Sequence, residues 1–205
     1  MSFAVVPGTI PTSAALSSDG TMVACAGLRD GKYFAAIRRT TQGVEWKVLS
    51  DVSNVREGNA LAFSPDNRWL AVAGGAERLA AREPPGIVEL WDMSDEDATE
   101  PTVTMNAERG TVNAVCFTPD SRTLATGSNG PGYGESGLYN GMVRLWDPVT
   151  GQQRIALSGH RYHVHDIAFS PDGLQLVSES ASFGSDSEVI LWDAREWKLR
   201  RTETP

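Results

Sequence analysis

Histidine and cysteine are scarce in this chain, with three and two respectively among 205 residues. Cys25 and Cys116 stand far apart in apolar runs and form no CxxC pair, which argues against a zinc site or a disulfide framework and for buried free thiols. Basic residues are also few, 18 against 26 acidic ones, and the net charge of −8 at pH 7 opposes attraction to phosphate backbones and anionic headgroups. Nucleic acid is therefore not an expected partner. No apolar run approaches the roughly 18 to 20 residues that span a bilayer. The first residues carry no basic region, only the short apolar run Phe3 to Val6 before Pro7, so neither a membrane partner nor a signal segment is expected and the reading is cytoplasmic.

Reaction motifs are missing as well. No GxSxG or HExxH string occurs. Gly132, Gly134 and Gly137 spell GxGxxG, yet no helical pattern follows to aim an N-terminus at a pyrophosphate. Gly27 to Lys32 is one residue short of a phosphate loop and lacks the Ser or Thr that should follow. Helical periodicity over ten or more residues is absent throughout. No cofactor and no resident metal are expected, and the acidic run Asp92 to Glu100 reads as a solvated loop.

What is present is repetition. AALSSDG from Ala14, LAFSPDN from Leu61, VCFTPDS from Val115 and IAFSPDG from Ile167 recur, with their turn aspartates at Asp19, Asp66, Asp120 and Asp172. A second apolar stretch follows each turn, from Met22, Trp69, Thr123 and Leu174, so each pair reads as a β-hairpin. Pro65, Pro119 and Pro171 preset φ in the turn, the Asp caps its own backbone, and Gly or Asn accepts the positive φ that closes it. A third string ends in Trp-Asp in three units, at Ile87 to Asp92, Met142 to Asp147 and Val189 to Asp193. In the first unit Lys32 to Arg39 has no Trp-Asp and is placed as the third strand by order alone. A fourth strand is expected at Val44 to Leu49, Val103 to Met105, Arg154 to Leu157 and Trp197 to Arg200.

These strings, in register and with the Gly159-His160 pair, resemble WD40 repeats across essentially the whole chain. The SPDG and WDPVTG phrasing is similar to that of bacterial members. The resemblance implies an all-β propeller of four four-stranded antiparallel blades in a single domain, 1–205, with blades at about 12–50, 58–106, 111–158 and 163–203. Such propellers close with seven or eight blades, so four leave two apolar sheet faces bare. Three outcomes follow, a homodimer closing an eight-bladed ring, a strained four-bladed ring, or the remainder of a longer chain, of which the first and third are expected.

The resemblance also implies a structural hydrogen-bond network in the fourth unit, formed by His160, Ser180, Asp186 and Trp192. Asn140 and Pro85 take the Asp position in the third and second units, so only one complete network is expected. A metal-dependent or hydrolytic enzyme using His160, His163 and His165 is the alternative, since period-two alternation places the last two on one side of a strand. Insertions at about 76–85, 129–140 and 181–187 all fall in the same loop, between second and third strands, which emerges beside the loop leading into the first. Binding residues concentrate on loops held by a rigid scaffold. Arg78, Arg82, Tyr133, Tyr139, Arg161, Tyr162, His163 and Phe183 are the groups there that dominate interface energetics, and a non-enzymatic scaffold holding a protein or peptide is the expected function.

Overall fold

A computed structural model of the chain describes residues 9–29, 32–40, 47–50, 60–75, 85–107, 110–130, 140–181 and 187–203. They form four antiparallel meanders and no helix. The first sheet is β1 (Thr9–Leu16), β2 (Met22–Arg29), β3 (Lys32–Arg39) and β4 (Lys47–Ser50); the second is β5 (Ala60–Phe63), β6 (Trp69–Gly75), β7 (Gly86–Asp92) and β8 (Val103–Ala107). The third holds β9 (Val112–Phe117), β10 (Leu124–Ser128), β11 (Met142–Trp146) and β12 (Gln153–Ser158), and the fourth β13 (His163–Phe169), β14 (Gln175–Ala181), β15 (Ser187–Asp193) and β16 (Lys198–Glu203).

The hairpin turns between first and second strands are built alike. Ser17, Thr118 and Ser170 donate their hydroxyls to Asp19, Asp120 and Asp172 at 2.7, 2.6 and 2.6 Å, and Ser64 does the same to Asp66. Each Asp also accepts a backbone N–H two residues on, from Thr21, Arg68, Arg122 and Leu174. Those bonds, led by the hydroxyl, hold the Asp19, Asp120 and Asp172 carboxyls below the ordinary value of 3.8. The residue after the Asp takes positive φ in every turn: Gly20 71°, Asn67 60°, Ser121 61° and Gly173 69°. Ser121 departs from the Gly or Asn expected there, and its hydroxyl accepts the Asp66 N–H of the neighbouring turn at 3.0 Å. Ser18 reaches Asn67 and Pro65 in the same manner, so turns stitch adjacent sheets together.

Register places the first unit's third strand. Val23 lies opposite Arg38 as Leu70 lies opposite Trp91, Leu124 opposite Trp146 and Leu176 opposite Trp192. Arg38 and Arg39 thus stand where the other sheets carry Trp and Asp. The acidic run after Asp92 is a solvated loop, with Ser94 to Asp97, Thr99 and Glu100 exposed, and it meets the first sheet through Glu96, which forms an ion pair with Arg39 and accepts from Lys47 at its carbonyl.

Sheets stack through their first strands, β1 on β5, β5 on β9 and β9 on β13, and among the described residues no comparable packing joins the fourth sheet to the first. Three apolar clusters fill the three junctions, around Leu70 and Trp91, around Phe117 and Trp146, and around Leu176 and Trp192. The fold is an open arc of four blades. Its ends show in the burial: β6 and β10 are buried along their whole length, whereas β14 alternates buried and exposed. Leu16, at the position of Phe63, Phe117 and Phe169, is 63% exposed on the first sheet.

Candidate functional site

The loop entering the fourth sheet and the end of the third sheet's long connection meet at one edge of the arc. Gly141 donates its N–H to the Tyr162 carbonyl at 3.0 Å and Asn140 to the Arg161 carbonyl at 3.3 Å. Close approach demands glycine here, because a Cβ on Gly141 would stand 2.0 Å from the Tyr162 oxygen. On the same side Asn113 of β9 donates to the Val164 carbonyl of β13 at 2.9 Å. Two adjacent sheets are therefore joined through backbone groups directly beneath Arg161, Tyr162 and His163.

The buried support of this edge is a polar chain. His160 Nε2 lies 2.6 Å from Ser178 Oγ, and Trp192 donates its Nε1–H to the same oxygen at 2.7 Å. Glu188 Oε2 stands 3.7 Å from His160 Nδ1, accepts the Arg161 backbone N–H at 3.0 Å and the Ser180 hydroxyl at 3.4 Å. The Arg161 guanidinium, itself exposed, reaches the other Glu188 oxygen at 3.4 Å. Burial holds the His160 imidazole below its ordinary 6.5, with the Glu188 charge opposing, so the ring is neutral at pH 7.

Of the expected network, His160 and Trp192 come together, but Ser178 bridges them and Ser180 sits one contact further along, on Glu188. Asp186 lies outside the described residues, as do Arg78, Arg82, Tyr133, Tyr139 and Phe183. Glu188 was not singled out in the sequence; the signal for it is its place two residues before Ile190 and four before Trp192, which puts it on the face Trp192 occupies. In the third sheet only the Trp–hydroxyl pair recurs, Trp146 Nε1–H to Thr126 Oγ1 at 3.0 Å. The second sheet has Val72 at that position, and buried Trp91 Nε1 has no acceptor among the described residues.

Ser178, His160 and Glu188 have the residue types of a hydrolytic triad. Ser178 is 1% exposed and His160 3%, and the Ser178 oxygen already accepts the Trp192 N–H, so a substrate carbonyl has no approach to it. His163 and His165 lie edge to face, their rings 6.3 Å apart. Among the described residues no three His, Cys, Asp or Glu side chains gather closely enough to hold a metal. Cys25 and Cys116 are free, and burial pushes their thiols up to about 11 and about 12, the latter helped by Asp166, which removes them from thiolate chemistry.

The model of the WD domain, G-beta repeat matches residues 99–147 and 151–193. The WD repeat and SOCS box-containing protein 1 of Takifugu rubripes is 31% identical over 183 residues, 82% of this chain and 38% of that protein. Coronin-7 of Mus musculus is 30% identical over 147 residues, 71% of this chain and 14% of that one. The chain thus spans well under half the length of these relatives. Among solved structures, a chain of Kuenenia stuttgartiensis hydrazine synthase superposes with a TM-score of 0.72 at 18% identity, covering 98% of this chain and 50% of its own length. That likeness concerns the fold alone.

Proposed function

Because the chain belongs to the WD40 repeat family, whose members serve as protein-interaction scaffolds, we propose that it is a non-enzymatic module holding a protein or peptide at the edge carrying Arg161, Tyr162 and His163. One observation carries the reading. The backbone beneath these side chains is tied across two sheets, by Gly141 and Asn140 to Tyr162 and Arg161, while Glu188 anchors the loop from below. A guanidinium and an aromatic ring presented on a pre-organised base lose little entropy on binding, the condition under which such groups become hot spots. Arg78, Arg82, Tyr133, Tyr139 and Phe183, from the long connections of the same edge, belong to this surface in our reading. The compartment is the cytoplasm, on the low cysteine content and acidic balance.

The test starts with affinity capture of partners on the full chain and proceeds to binding measurements with the purified partner. Arg161→Glu with Tyr162→Ala should weaken binding by about tenfold or more, the equivalent of roughly 1.4 kcal/mol. Arg195→Glu, in the turn after Asp193 at the opposite edge, should leave it unchanged. A partner indifferent to Arg161 and Tyr162 contradicts the reading.

A further inference from the structure

The outer face of the last sheet differs from the equivalent faces inside the arc. Register aligns one residue per strand in a row facing the next sheet. The row is Ser13, Ala26 and Ala35 in the first sheet, Ala60, Ala73, Val88 and Met105 in the second, and Ala114, Gly127, Val143 and Leu157 in the third. Small apolar residues are needed on the first two strands because the next sheet's first strand lies directly on them. A Cβ on Gly127 would stand 2.5 Å from Val164 Cγ1. In the fourth sheet the same row reads Asp166, Glu179, Val189 and Glu203.

Asp166 and Glu179 are direct cross-strand partners on one face, an arrangement that is repulsive unless a cation joins it. Among the described residues neither takes part in an ion pair. Beside them Ala168, Val177 and Val189 floor an apolar groove of about 150 Å³, and Val177 is 37% exposed. A further blade of the interior kind would bury these carboxylates against apolar side chains, which costs more than the contact returns. A second copy would bring its first sheet, whose outer row begins with the apolar Leu16 and Val23, on a chain that itself carries −8.

We infer that the outer face of the fourth sheet is a docking surface for a basic polypeptide segment, with lysines or arginines on Asp166, Glu179 and Glu203 and apolar side chains in the groove over Ala168 and Val177. The surface is separate from the edge around Arg161, so the two readings stand or fall independently.

Fluorescence anisotropy on the full chain, with a labelled peptide of alternating lysine and valine and a counterpart of alternating glutamate and valine, tests it. The lysine peptide should bind saturably and the glutamate peptide should not. Two variants remove the row: Asp166→Ala with Glu179→Ala and Glu203→Leu, taken from the interior sheets, and the near-isosteric Asp166→Asn with Glu179→Gln and Glu203→Gln. Both should weaken binding by about tenfold or more. A control that removes as much charge elsewhere, Asp95→Asn with Asp97→Asn and Glu100→Gln, should change it by less than about twofold. Absence of saturable binding, retention of binding in both row variants, or an equal loss in the control each overturns the inference. So does self-association of the unsubstituted chain that the row variants abolish, which would give the face to a second copy.

Discussion

Ser178 carries two buried polar groups at once, the His160 ring and the Trp192 N–H, while Thr126 carries one, the Trp146 N–H. Stranding a buried donor costs about 1 to 3 kcal/mol. Thr126→Val should therefore lower unfolding stability by that amount, and Ser178→Ala by more, as read from urea midpoints at constant m-value. His160 makes the same region sensitive to acid. Its folded value lies below 6.5, so beneath that pH the unfolded chain takes up a proton that the folded one refuses, and stability falls as pH drops. The turn aspartates act lower, where their contribution, present above 3.8, is lost as pH falls further. Denaturant midpoints from about pH 7.5 to 5.5 should decline in the unsubstituted chain and decline less in His160→Gln. Residues at this scale were only partly legible. Gly-His and Trp-Asp mark His160 and Trp192, but Ser178 and Ser180 share one face of β14, and only the depth of packing decides which meets the indole.

The strands themselves were legible almost throughout, because period-two alternation and the Ser-Pro-Asp turn are local signals that tertiary packing reinforces. Two details needed contacts between units. The first sheet's third strand, placed by order at Lys32 to Arg39, lies there, and register adds that Arg38 and Arg39 stand where the other sheets carry Trp and Asp. The acidic run after Asp92 reads as solvated and is largely exposed, but the pairing of Glu96 with Arg39 is not legible because Arg39 lies in another unit. Junctions between sheets depend on side chains small enough for close approach. Gly127→Ala drives a methyl into Val164 and should cost about 1 to 3 kcal/mol, the usual range for overpacking. Amide hydrogen exchange should then show β13 and β14 opening before β5 and β6, since the substitution loosens the third junction and leaves the first intact. Uniform loss of protection over all four sheets would mean that the arc unfolds as one unit.

At the scale of the molecule, the four blades form an arc with unlike ends, apolar at Leu16 and Val23 and acidic at Asp166, Glu179 and Glu203. The composition foreshadowed bare ends, since four sheets of this kind do not close a wide ring, but a homodimer and a longer chain were equally compatible with it. The difference between the ends emerges only when the sheets are compared row by row. On our proposal that acidic end receives a basic polypeptide, whereas a homodimer closing an eight-bladed ring would place a second copy there. Light scattering on a sizing column, over a range of concentrations, tests this most directly. The account predicts the mass of one chain, 22.1 kDa, for the unsubstituted protein, and a shift toward twice that mass when Asp166→Ala, Glu179→Ala and Glu203→Leu restore the interior row. A stable two-chain mass for the unsubstituted protein, unchanged or lost in the variant, would contradict it.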